Sequence, residues 1–287
     1  IGMIVLSTVK EVREHYRISV LRNPGFVPTM GALHKGHLSL VARATERCRM
    51  VAVSIFVNPT QFNDPNDLLK YPRTLDDDLE ALSGMLREND FVFVPSVEEI
   101  YPEPDSRQFE FGDLDKVMEG VHRPGHFNGV AQVVSRLFDI IRPSCAFFGQ
   151  KDFQQLTIIR ELARREYPKI EIIGCPIVRE HDGLAMSSRN RRLLTQHREK
   201  AGEIYRTLIA AAAMISDYEI NEIREFVTDR INMIPDFRLE YYEIVEEETL
   251  KPVHSVFEMS QEKKYYGCIA LWAGEIRLID NIEIRLR

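Results

Sequence analysis

The chain has 287 residues, 44% of them apolar, and a formal net charge of −7. That length supports one large domain or two of medium size around a sizeable core, and the acidic balance argues against nucleic acid or an anionic membrane surface as partner. Its four cysteines, Cys48, Cys145, Cys175 and Cys268, form no C-x-x-C pair, and no apolar run nears the roughly 18 residues of a membrane-crossing helix, so the expectation is a cytoplasmic protein with reduced thiols.

Ile1-Gly2 ahead of Met3 reads as an expression remnant. The first half then alternates two kinds of segment. Near-continuous apolar runs at Phe26–Thr29, Met50–Val57, Asp90–Val94, Cys145–Gly149 and Ile170–Gly174 read as strands buried on both faces. Helical periodicity fills His37–Arg47, Thr74–Glu88, Asn128–Ile141 and Asp152–Glu166. This alternation predicts an α/β doubly wound parallel sheet. After Cys175-Pro176 the pattern changes to helices over Gln196–Ile215 and Glu219–Met233, then β-type runs at Arg238–Val245, Tyr265–Ala273 and Ile276–Ile284. Those elements predict a smaller α+β domain with an antiparallel sheet.

Ligands of open α/β sheets sit outside the carboxyl ends of the strands, and the unusual polar clusters of this chain fall there. The first is "PTMGALHKGH", Pro28–His37. Gly31 and Gly36 permit close backbone approach, and a helix starting near His37 offers free N–H groups to a phosphate that His34 and His37 can both face. It is neither a Walker A loop nor G-x-G-x-x-G. A metal would find its ligand set unfilled; a capped turn with incidental histidines stays open beside the phosphate reading. The second cluster, "FVNPTQF" (Phe56–Phe62), supplies Asn58 and Gln61 to orient a hydroxylated acid, or simply a Pro-initiated turn. In "YPRTLDDDLE" the aspartates fit a helix start, with one able to reach magnesium through water. "HRPGHFNGV" (His122–Val130) reads by default as a turn into a helix, with a substrate-facing loop as the alternative. "FGQKDFQQL" puts Lys151 at a helix start, against the dipole unless an anion sits there. "EHDGLAMSSRNRRLL" offers either a Ser cap or a second phosphate clamp from Ser187, Ser188 and Arg189.

In this order, the segments closely resemble the pantothenate synthetase family, the pantoate–β-alanine ligases, from Pro28 to beyond Arg189. "PTMGALHKGH" is similar to the His-x-Gly-His signature of the nucleotidylyl-transferase superfamily, with His34 and His37 at its histidine positions, and "MSSRN" is similar to the KMSKS-like second signature. The resemblance departs at Gln150, where many relatives have Glu, and at Thr60, where others have Leu before the glutamine.

The resemblance implies a Rossmann-like domain over residues 1–176 that binds nucleotide and pantoate, and a smaller α+β domain over 177–287 that closes over ATP about the Pro176 region. ATP, with Mg²⁺, and (R)-pantoate would give pantoyl adenylate and pyrophosphate; the amine of β-alanine would then give pantothenate and AMP, on the way to coenzyme A. By the same resemblance Met30, Gly31, Ala32, Leu33, His34, Lys35, Gly36 and His37 line the ATP site, where Gly31, Ala32 and Gly36 leave room for nucleotide. His34 and His37 bond phosphate oxygens, His37 chiefly as an electrostatic donor. Gly149, Gln150, Lys151 and Asp152 contact the nucleotide, Lys151 at the phosphates and Asp152 on the ribose side. Val178 touches adenine through its backbone, and Met186, Ser187, Ser188 and Arg189 close on the phosphates.

The implied catalytic set is His34, His37, Lys151, Ser187, Ser188 and Arg189. Gln61 and Gln155 grip pantoate, with Asn58 in support and Gln61 also near β-alanine, and Asp77 reaches the magnesium ion through water. A homodimer is implied too, while the run Tyr265–Ala273 suits an interface or a core equally. Two rival readings are a nucleotidyltransferase of the same superfamily acting on a phosphorylated small molecule, and a non-catalytic nucleotide-binding protein.

Overall fold

Alternate residues of the strands point to opposite sides of a sheet, so strands buried on both faces need two cores. The computed structural model, which describes residues 3–286 and leaves the reading of Ile1-Gly2 outside them, has both. Strands β1 (Ile4–Leu6), β2 (Gly25–Thr29), β3 (Val51–Ile55), β4 (Phe91–Phe93), β5 (Cys145–Gly149) and β6 (Glu171–Cys175) form one parallel sheet in the order β1-β4-β3-β2-β5-β6. Phe26, Ala52, Phe91, Phe93, Ala146 and Phe148 face one core, closed by the helices His126–Ile141 and Phe153–Glu166. Val27, Val53, Val92 and Phe147 face the other, where the helix Lys35–Arg47 contributes Leu40, Val41 and Ala44.

The connectivity runs from β2 outward to one side and then resumes with β5 on the other. β2 pairs with β3 as far as Thr29↔Ile55, but with β5 only as far as Phe26↔Ala146. The two strands therefore part toward their carboxyl ends, which opens a crevice at the topological switch point.

Downstream, the helices Gly202–Met214 and Ile220–Asn232 cover one face of an antiparallel sheet, β7 (Phe237–Glu246), β8 (Tyr265–Ala273) and β9 (Ile276–Ile284). β8 is internal to the chain on both faces. Ile269 and Leu271 meet those helices, while Tyr266 and Cys268 join Met118 and Phe153 of the first half, with the Phe153 and Tyr266 rings 4.5 Å apart. The apolar run Tyr265–Ala273 is thus core.

Several elements differ from the sequence reading. The short β1 and the helices Val9–Ile18, Pro65–Lys70, Val97–Ile100 and Glu119–His122 are absent from that reading. The helix read over Gln196–Ile215 is divided into Thr195–Lys200 and Gly202–Met214; at the division the Asp182 backbone lies against Gly202, where a Cβ would stand 2.9 Å from Asp182 O. The helix read to Glu88 ends at Ser83, followed by Gly84.

Candidate active site

The chain leaves β2 and turns into the helix Lys35–Arg47 through two residues in the left-handed region, Gly31 at φ +78° and Ala32 at φ +50°. Only an external partner holds a non-glycine residue there at low cost. Buried Asp78, in the first turn of the helix Leu75–Ser83, is that partner: its carboxylate accepts the Ala32 N–H at 2.9 Å and the Leu33 N–H at 2.7 Å. A Cβ on Gly31 would stand 3.0 Å from Asp78 Oδ2. The glycine's open side therefore admits the carboxylate that pins the loop. Leu33 turns its side chain into the core, and Lys35 is exposed.

The helix is capped by imidazoles. His34 Nδ1 accepts the Gly36 N–H at 3.1 Å, and His37 Nδ1 accepts the His34 N–H at 3.3 Å, with the ring centroids 4.0 Å apart. Because both Nδ1 atoms accept, each neutral ring carries its proton on Nε2. Burial, and then the Lys151 cation, push His34 down to about 4; burial, then His34 and Lys151, push His37 down to about 3. Both are neutral donors at pH 7. Gly36 makes this possible, since a Cβ there would lie 2.8 Å from His34 Nδ1. The room it leaves is for the His34 ring.

Across the crevice, Asn58 is fully engaged. It donates to Gly129 O at 3.2 Å and Gln61 Oε1 at 3.1 Å, and it accepts the Tyr101 hydroxyl at 2.9 Å. That contact fixes the Gln61 amide, whose Nε2 lies 3.1 Å from Met30 Sδ. His126, held neutral by burial and the Arg123 cation, which push it down to about 4, donates from Nδ1 to Gln61 O at 2.8 Å. Gly129 lets its helix approach this turn, because a Cβ there would overlap Thr60 O.

β5 delivers Gly149, Lys151 and Asp152 to the crevice, and Gln155 follows on the first turn of the helix Phe153–Glu166. Lys151 Nζ lies 3.6 Å from Asp152 Oδ2. The far wall comes from the segment after β6, where Met186 N–H donates to Val178 O at 3.0 Å and Ser187 Oγ accepts the Arg189 N–H at 3.2 Å. Arg189 Nη2 donates to Asp67 Oδ2 at 2.9 Å.

These groups converge on a cavity of about 230 Å³. Met30, His34, Gly36, His37, Asn58, Gln61, Gly149, Lys151, Asp152, Gln155, Val178, Met186, Ser187, Ser188 and Arg189 line it. Gly31, Ala32, Leu33, Lys35 and Gln150 do not; the first three shape its wall through the backbone or the core. A larger neighbouring cavity of about 470 Å³ shares Arg123, Lys151, Asp152, Ser187 and Arg189. Asp77 is exposed and lines neither cavity; of its triplet, Asp78 faces inward and is committed to the loop. Sequence reasoning missed Arg123, His126, Asp67 and Asp78 as site-forming residues. "HRPGHFNGV" carried the signal for the first two, as a polar turn with two histidines beside a helix start.

A parallel α/β crevice lined by two neutral imidazole donors, a lysine and an arginine has the chemistry of an α/β enzyme that acts on a phosphorylated substrate. The profile of the family described as pantoate-beta-alanine ligase matches residues 4–283. Pantothenate synthetase of Bacteroides fragilis strain YCH46 is 50% identical over 287 residues, covering 99% of each chain, and that of Phocaeicola vulgatus is 52% identical, covering 99% of this chain and 100% of the relative. The crystal structure of pantothenate synthetase from Thermus thermophilus superposes with a TM-score of 0.90 at 40% identity, over 99% of this chain and 100% of the other. Pantoate-beta-alanine ligase from Francisella tularensis, complexed with beta-gamma ATP and beta-alanine, gives 0.80 at 33% identity, over 98% and 97%. The chain belongs to the pantoate–β-alanine ligase family.

Proposed function

We propose that the chain's activity, the ATP-dependent joining of pantoate to β-alanine for which its family is named, runs through a pantoyl adenylate made in the 230 Å³ cavity. One observation carries this reading: His34, His37, Lys151, Ser187, Ser188 and Arg189, from three separate segments of the chain, line the same volume. A carboxylate is a poor acyl donor because oxide leaves badly, whereas AMP leaves well. Pantoate's carboxylate oxygen attacks the α-phosphorus, the bond to pyrophosphate breaks, and negative charge grows on the departing oxygens. Nε2–H of His34 and His37 and the Lys151 ammonium meet that charge as fixed donors. Neutral rings donate hydrogen bonds without giving up a proton, which suffices because pyrophosphate leaves adequately as an anion.

Gln61, oriented by Asn58, and Gln155 hold pantoate. The amine of β-alanine then attacks the acyl carbon and AMP departs. The Gly149–Asp152 turn and Val178 hold the nucleoside, and Met186–Arg189 cover the phosphates. Residues 1–176 and 177–287 act as two units meeting near Pro176, so that the adenylate is kept from water. Magnesium enters as the counter-ion of ATP. The described residues offer no group of three His, Cys, Asp or Glu able to hold it, which suits an ion that keeps its waters and binds mainly to phosphate. A homodimer and a cytoplasmic location complete the reading; among the described residues no helix is long and apolar enough to cross a membrane.

Mass detection of products from purified chain, MgATP, pantoate and β-alanine tests the proposal. Equal amounts of pantothenate and AMP are expected, and omission of either carbon substrate should stop pantothenate formation. ADP as the product, or AMP with no pantothenate, would overturn it.

A further inference from the structure

The turn that carries Lys151 lies in the first half of the chain, yet side-chain donors from the second sheet hold its backbone. Asn281, on β9 and only 3% exposed, donates from Nδ2 to Gln150 O at 2.9 Å and to Lys151 O at 3.1 Å. Its own backbone is fixed on both sides. The Asn281 N–H donates to Asp280 Oδ1 at 2.7 Å, and Asn281 O accepts from Arg179 Nη2 at 3.2 Å. Arg179 grips the buried Asp280 carboxylate with two donors, at 2.6 and 3.0 Å, and its guanidinium lies 3.7 Å from the centre of the Tyr205 ring. Arg179 also braces the opposite wall of the cavity, donating to Gly183 O at 3.1 Å and pairing its backbone with Ala185, next to Met186.

Asp152, the residue capping the following helix, makes no side-chain cap bond. Within the first half the turn is held by the Gln150 N–H, which donates to Cys175 O at 2.8 Å; its two carbonyls, at Gln150 and Lys151, are held from the second sheet. A buried amide nitrogen that bonds two consecutive carbonyls fixes the direction of the peptide planes from which the Lys151 side chain springs, and a lysine that must meet developing charge is sensitive to such placement.

From this we propose that Asn281, clamped by the Arg179–Asp280 pair, is a positioning residue for Lys151, acting on adenylate formation from the second sheet. The inference rests on the function proposed above. It adds a coupling between the two phosphate-facing walls through one buried ion pair.

Pantoate-dependent exchange of pyrophosphate into ATP is the readout, measured for wild type, Asn281→Ala, Lys151→Ala and the double variant. Asn281→Ala should lower the exchange kcat by roughly 10²-fold, as expected for an ångström-scale misplacement, with KM for pantoate within about twofold because Gln61 is held independently. In the Lys151→Ala background the same change should cost less than about threefold, since the group it positions is gone. Should the alanine variant not fold, Asn281→Ser is measured against the same criteria. Near-wild-type exchange by a folded variant, or full additivity with Lys151→Ala, would overturn the inference. Absence of exchange by the wild-type chain would instead overturn the adenylate reading itself.

Discussion

Two strand-to-helix junctions face the same cavity and are held by opposite means. The junction after β2 is fastened within its own half of the chain: Asp78 binds two of its N–H groups, and His34 and His37 close a reciprocal capping box at the helix start. The junction after β5 has no side-chain cap; beyond one backbone bond from Gln150 to Cys175, its carbonyls are tied down by Asn281 from the second sheet. The first is therefore organised whenever the parallel sheet is folded. The second depends in addition on how the two sheets meet, and it carries the one lysine on which the proposed chemistry most depends.

Removing that lysine should have the largest effect. Lys151→Ala should cut pantoate-dependent pyrophosphate exchange by roughly 10²–10³-fold, the loss expected for one donor to developing charge, while circular dichroism stays that of the parent. Near-normal exchange by a folded variant would reject the role.

Gly36→Ala probes the self-fastened junction. Its Cβ would press within 2.8 Å of His34 Nδ1, so the ring must move, and a fall of roughly 10²-fold in kcat is expected. An unchanged kcat would mean that the ring has no part in the reaction.

Asp78→Asn reads the same junction as stability. An amide offers one acceptor where the carboxylate serves two N–H groups, and a bond to a charged group is worth about 1.5–3 kcal/mol. A drop of that size in denaturant unfolding is the expected result, and less than about 0.5 kcal/mol would show the loop to be held otherwise.

The buried histidines add a pH dependence of stability. His34, His37 and His126 titrate at about 4, 3 and 4 in the folded chain against 6.5 for an ordinary histidine. Between those values the unfolded chain binds more protons, so stability falls as pH drops. Their contribution is complete above pH 6.5 and lost toward pH 3. Nitrogen chemical shifts should show His34 and His37 neutral, with the proton on Nε2, down to about pH 5; an imidazolium at about pH 6 would contradict the capping geometry.

What the sequence made legible follows from periodicity. Strands buried on both faces announced themselves as unbroken apolar runs, and five of the six parallel strands were placed within a residue or two. β1 escaped because three residues give no period to detect. In "DDD" the sequence could not choose, since successive helix residues point about 100° apart and the one facing inward depends on tertiary phase; Asp78 turned out to face the loop and Asp77 the solvent. Gly36 was read as room for the nucleotide; it lines the cavity, and the His34 ring from two residues away stands where its Cβ would be, which spacing alone does not reveal. Asn281 was beyond reach. It lies about 130 residues from the carbonyls it holds, and no local pattern marks an amide that fastens a distant turn.

In the proposed mechanism the two junctions activate pantoate as an adenylate before the amine takes part. Labelled pyrophosphate exchange into ATP by wild-type chain, with pantoate present and β-alanine withheld, isolates that step. Rapid exchange that vanishes when pantoate is omitted is expected. Exchange that appears only on adding β-alanine, or that proceeds without pantoate, would contradict it.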